Sequence, residues 1–176
     1  MSSIENDGIL VFDVEGPREV PFHYGTRGRR LITSDDGAQF FADNEDIGER
    51  RGCYVFGLRS GGGITPWYVG KTLAYFDGEC FQSHKLMKYN EALFSAGKGT
   101  PVLLFVVYPP AKGPPNHWAV DELESYLIQS AFRRNPALLN KTKRGEQYWG
   151  IRGVTLTARG KPSNAARNLS QSLWLG

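Results

Sequence analysis

The chain reads as an α/β protein of the α+β kind: a small domain with a three-stranded mixed sheet, opened by a β-hairpin, flanked by helices and extended at both ends. Three observations predict it. Residues 54–58 and 66–69 are β-prone runs joined by Arg59-Ser60-Gly61-Gly62-Gly63, which is an antiparallel hairpin with a flexible tip. Residues 101–108, PVLLFVVY, form a continuous apolar run of strand length, suited to the centre of a sheet. Between and after these lie two longer segments with helical periodicity, giving the order β-β-α-β-α.

The elements follow in chain order. The first 50 residues carry two short apolar runs, Ile9-Leu10-Val11-Phe12 and Arg30-Leu31-Ile32-Thr33, broken by Gly-Pro, Gly-Thr-Arg-Gly and Asp-Asp-Gly turn signals. They predict an N-terminal extension (1–50) of small strands, with the acidic stretch 43–49 as a solvated connection. The domain itself spans 51–145. After the hairpin, residues 78–95 predict a helix with Phe81, Leu86, Tyr89 and Leu93 on one side and His84, Lys85 and Lys88 on another, ending at Gly97. A second helix runs from 116 or 117 to 133, with Asp121 and Glu122 near its positive end and Arg133-Arg134 near its negative end, and stops at Asn135-Pro136. In the C-terminal extension (146–176), expected to pack on the same domain, Trp149-Gly150-Ile151, a strand at 154–157 and a helix at 163–173 are the readable pieces.

Composition narrows the function classes. The 21 Lys+Arg against 18 Asp+Glu give +3, compatible with a polyanionic partner without demanding one. Cys53 and Cys80 show no CxxC or Cys/His spacing, so neither a structural zinc nor a disulfide framework is indicated. MSSIENDG lacks a basic, then apolar, leader pattern, and no apolar run reaches membrane-spanning length, so the expected setting is cytoplasmic or nucleoid-associated.

One stretch, GCYVFGLRSGGGITPWYVGKT (52–72), ends in Gly70-Lys71-Thr72 and invites a phosphate-loop reading. The spacing refuses it. Six residues separate Gly63 from Gly70, against the Gly-x-x-x-x-Gly-Lys-Thr pattern, and Trp67-Tyr68-Val69 before Gly70 is itself β-prone.

Glu124 is the anomaly of the second helix. Leu127, Ile128 and Ala131 follow it at three, four and seven residues, so this carboxylate runs along an apolar stripe and needs a partner: a cation, a metal or several donors. On the hairpin, strand alternation places Tyr54 and Phe56 on one face and Cys53 and Val55 on the other. Tyr54 and Tyr68, taken singly, read as packed tyrosines; Lys71, His84 and Lys85 read as surface groups.

Together, Gly52-Cys53-Tyr54, Tyr68-Val69-Gly70-Lys71, Glu124-Ser125-Tyr126-Leu127-Ile128 and Asn135-Pro136-Ala137-Leu138-Leu139-Asn140 stand in an order that resembles the GIY-YIG nuclease family, over about half the chain. The resemblance implies a metal-dependent endonuclease hydrolysing DNA phosphodiesters. Tyr54 would activate water, Glu124 would hold Mg2+ (or Mn2+) at the scissile phosphate, and Tyr68 and Lys71 would line the site. Asn140 would bond near the phosphate or brace the site. DNA contacts would come from Lys71, Lys85, Lys88 and Lys141. A free phenol titrates near ~10, and half-ionising it at neutral pH costs about 4 kcal/mol, which Lys71 and a metal close by would have to supply. One departure stands out: the family carries an arginine early in the helix after the second motif, with a histidine four residues on. Here His84 fits the histidine, Cys80 stands in the arginine's place, and there is no arginine between Arg59 and Arg133. Lys85 or Lys88 would have to serve, without a guanidinium's two-pronged grip. The alternative is a catalytically impaired module of the same fold that binds nucleic acid without cutting it.

Overall fold

A computed structural model describes residues 10–110, 113–145 and 163–173. Its elements are β1 (Asp13–Glu19), β2 (His23–Tyr24), β3 (Arg30–Leu31), α1 (Ser34–Asp43), α2 (Glu45–Gly48), β4 (Gly52–Ser60), β5 (Gly63–Thr72), α3 (Phe76–Glu79), α4 (Ser83–Ala96), β6 (Thr100–Val107), α5 (His117–Arg134) and α6 (Asn164–Leu173). They fall into two units, 1–144 and 145–176.

The first unit is built on a four-stranded sheet in the order β1-β6-β4-β5, with every pairing antiparallel. The expected three-stranded mixed sheet is corrected in both respects. The fourth strand is DVEGPRE, whose residues are mostly exposed, so it carries no apolar signal; it joins because its backbone pairs with β6, Asp13 opposite Val107 and Glu19 opposite Val102. Arg18 on this strand grips both carboxylate oxygens of Asp46 at 2.7 Å, tying β1 to α2. The acidic stretch expected as a solvated connection is corrected too. α1 begins with a capping box in which the Thr33 N–H donates to Asp36 Oδ2 at 2.7 Å, and Phe40 and Ile47 are buried in the core.

The hairpin lies as expected and the run expected at 101–108 is the strand at Thr100–Val107, with β4 between β5 and β6. Proline is tolerated at Pro66 because β5 is an edge strand. That edge is covered. Asn135 Nδ2 donates to Pro66 O at 2.8 Å, Leu139 N donates to Trp67 O at 2.9 Å, and the Asn140 amide both accepts from Val69 N and donates to Val69 O at 2.8 Å.

Cross-strand register assigns the two faces. Tyr54 opposite Gly70 and Phe105, and Phe56 opposite Tyr68 and Leu103, face the main core under α4, where Phe56 stacks on Tyr89 with centroids 4.1 Å apart. Cys53 opposite Lys71, and Val55 opposite Val69, face α5, whose Val120, Ile128 and Ala131 are buried. The single helix expected at 78–95 is two: α3, then α4 from Ser83, which ends at Gly97 in the left-handed region (φ 68°). Cys80 caps α3 and is buried, so it does not share a helix with His84. Lys85 is corrected from surface to interior: it lies on the same stripe as Tyr89 and Ala92 and is 8% exposed.

In the second unit, α6 matches the expected last helix, with Ser163 Oγ accepting from Ala166 N at 3.1 Å. The expected Trp149-Gly150-Ile151 segment and strand at 154–157 lie outside the described residues. No helix among the described residues is long and apolar enough to cross a membrane.

Candidate functional site

Glu124 projects from α5 toward the β5 end of the hairpin, and its side chain is only 14% exposed. The partner its position demanded is a pair of ammoniums. Lys71 Nζ lies 3.3 Å from Glu124 Oε2, and Lys143 Nζ donates to the same oxygen at 2.8 Å. Asp121, one helical turn earlier, closes the group: Lys143 donates to its Oδ1 at 2.6 Å, and Lys71 also donates to Oδ1. Two carboxylates three residues apart on one helix thus alternate with two lysines drawn from β5 and from the segment after α5. The pairing has clear consequences for charge. The hydrogen bonds from Lys143 and Lys71 hold the Asp121 carboxyl at about 2. Burial would depress the Lys143 ammonium, but its bonds to Asp121 and Glu124 outweigh burial and raise it above the ordinary lysine value. Beneath them, Cys53 donates to Val120 O, and burial, reinforced by the Glu124 charge, pushes its thiol up to about 12. It is no nucleophile in this state.

The phenols belong to the other face. Tyr54 is fully buried, and its hydroxyl makes no hydrogen bond. The Tyr89 hydroxyl is a polar neighbour but is committed as a donor to Cys80 O at 2.7 Å. Burial, and then Tyr89, drive the Tyr54 phenol well above the ordinary tyrosine value. Its ring lies on Gly70: a Cβ there would come within 2.8 Å of Tyr54 Cε1 and closer still to Cζ and the hydroxyl, so glycine is what admits the phenol. Tyr68 is half-buried, 6.5 Å from Tyr54 between ring centroids, and its hydroxyl accepts from Lys85 Nζ at 2.9 Å. Lys85 also pairs with Glu79 Oε1 at 3.1 Å. Burial pulls the Lys85 ammonium down, yet the contacts with Tyr68 and Glu79 prevail and leave it above the ordinary value.

The residues expected to share one centre therefore form two groups with the sheet between them. Lys71 and Glu124 meet on the α5 face; Tyr54, Tyr68 and Lys85 meet on the α4 face. His84 is exposed on α4, Lys88 pairs with Glu91 at 3.7 Å, and Lys141 is exposed. Asn140 braces the β5 edge through Val69, using one bond from each polar atom of its amide. Asp121, Lys143 and Glu79 were not expected. Asp121 had a usable signal in its three-residue spacing from Glu124. Lys143 had none, because it arrives through a loop and adopts a positive φ of 62°. Among the described residues no three His, Cys, Asp or Glu side chains gather as a metal site. Two carboxylates are the donor set available, enough for a magnesium ion that keeps several waters and shares a substrate phosphate. Comparison of the chain with protein-family models, curated proteins and solved structures finds no match.

Proposed function

We propose that this chain is a metal-dependent DNA endonuclease of the GIY-YIG kind, working at the Lys71–Glu124 centre. The observation that carries the reading is the 3.3 Å approach of Lys71 to Glu124, two residues more than 50 positions apart that the motif order assigns to one site. The β4–β5 hairpin and the α5 helix against it agree with that assignment. Lys71 and Lys143 would exchange carboxylate partners for phosphate oxygens, releasing Glu124 and Asp121 to hold Mg2+ or Mn2+. The ion, when bound, would polarise the phosphate and favour hydroxide over water. The buried, unpartnered Tyr54 hydroxyl is a cost that a catalytic role accounts for, and it becomes active in this reading only by leaving its seat on Gly70.

A second reading, nucleic-acid binding without cleavage, is favoured by a specific observation: Tyr54 is closed to solvent, and the sheet separates it from Glu124. Nicking of supercoiled plasmid separates the two. Cleavage should require Mg2+ or Mn2+ and fall by on the order of 100-fold in Glu124→Ala and in Lys71→Ala. Undiminished nicking by purified Glu124→Ala would sink the cleavage reading. Salt-sensitive DNA binding with no metal-dependent turnover would establish the second.

A further inference from the structure

Near the end of the sheet that carries Lys71, two exposed rings stand outside the carboxylate–lysine centre. Tyr75, four residues beyond Lys71, is 48% exposed, and Trp118, one turn before Asp121 on α5, is 75% exposed. Arg51 packs on the first of these. Its guanidinium carbon stands 5.6 Å from the Tyr75 ring centroid, and it donates to Leu73 O at 3.4 Å. A chain of hydrogen bonds runs from Arg51 to the start of α5. Tyr108 N donates to Arg51 O at 2.8 Å, the Tyr108 hydroxyl accepts from Asn116 N at 2.8 Å, and Asn116 Oδ1 caps α5 by accepting from Trp118 N at 3.1 Å. A cavity of about 210 Å³ opens beside Arg51 and Tyr108.

We infer that this rim is a stacking platform for unpaired bases, so that the nucleic acid delivered to the centre is single-stranded. The inference rests on the nucleic-acid reading given above and adds the form of the substrate. In a duplex each base face is covered by its neighbours, so exposed rings gain stacking energy only from bases that have left the helix. Arg51, packed against the Tyr75 ring, offers a cationic surface to a base or a phosphate. Glu49 lines the cavity beside Arg51, so charge alone does not make this a polyanion site; the rings supply the selectivity. They are also sequence-tolerant, since every base has a π face.

Fluorescence anisotropy of the full chain with a labelled thymidine oligomer, and with a duplex of the same length, tests this without added metal. The single strand should bind more tightly. Trp118→Ala and Tyr75→Ala should each weaken it by on the order of tenfold or more, with duplex binding little changed. Both side chains are exposed, and thermal melting verifies that the variants stay folded. Unchanged single-strand affinity in both variants, or duplex binding as tight as the oligomer's, would overturn the platform. Ring-dependent binding in a protein that never nicks supports the platform and defeats the cleavage reading. Nicking that needs Glu124 but is indifferent to both rings does the reverse.

Discussion

Tyr54→Phe removes a single oxygen atom from the most sealed phenol of the sheet. The hydroxyl is buried without a hydrogen bond, and an unsatisfied buried group of this kind forfeits about 1–3 kcal/mol of hydration. The nearby Tyr89 hydroxyl donates its own proton to Cys80 O and makes no hydrogen bond with Tyr54. Phenylalanine keeps the ring on Gly70 and its edge contact with Phe76, whose centroid is 6.3 Å away. The expected outcome is a gain of about 1 kcal/mol, or about 2–4 °C in melting temperature for a domain of this size. Urea unfolding followed by far-UV circular dichroism measures it, with a higher midpoint and an unchanged slope. A loss of about 1 kcal/mol or more would show that the hydroxyl has a strong partner in the native state, and the reasoning would fail. The same preparations decide the catalytic role: a more stable Tyr54→Phe that no longer nicks plasmid is a site trading stability for chemistry, whereas nicking at the wild-type rate removes Tyr54 from the reaction.

Two further outcomes follow from the structure. Asn140→Ala strips the β5 edge of two bonds and leaves both backbone groups of buried Val69 unpaired, so unfolding free energy should drop by about 2–4 kcal/mol; a change under about 0.5 kcal/mol would contradict the bracing role. Asp121 titrates at about 2 in the folded chain against 3.8 ordinarily, so the stability it contributes is complete above about pH 4 and disappears as pH falls toward 2. Urea unfolding across that window should therefore be steeper in pH for wild type than for Asp121→Asn, and added salt should shrink the difference; parallel profiles would refute the pairing.

Much of this arrangement is written in local pattern. The hairpin, the apolar β6 run and α5 follow from periodicity and turn chemistry, and the buried position of Glu124 follows from the stripe of Leu127, Ile128 and Ala131. What the pattern hides is set by pairing at a distance. β1 is a strand because β6 has a free side, and a polar edge strand looks like a loop in sequence. Across the break between α3 and α4 the Tyr89 hydroxyl bonds Cys80 O, and Lys85 lies inward, where Tyr68 and Glu79 satisfy it. Strand alternation already put Tyr54 and Cys53 on opposite faces. The β4–β5 register sets Lys71 opposite Cys53, and that pairing divides the expected site in two.

The segment 135–140 that lines the β5 edge also leads directly into Lys143. Covering the edge and charging the site are thus a single event in this chain: if 135–144 lifted away, Pro66, Trp67 and Val69 would bare their backbone groups as Lys143 left Glu124 and Asp121. An exposed strand edge is a template for pairing with another molecule. Loss of the lysine and exposure to aggregation would then arrive together, so solubility becomes a readout of whether the site is assembled, in a protein whose other sheet edge, β1, is blunted by Pro17, Arg18 and two glutamates.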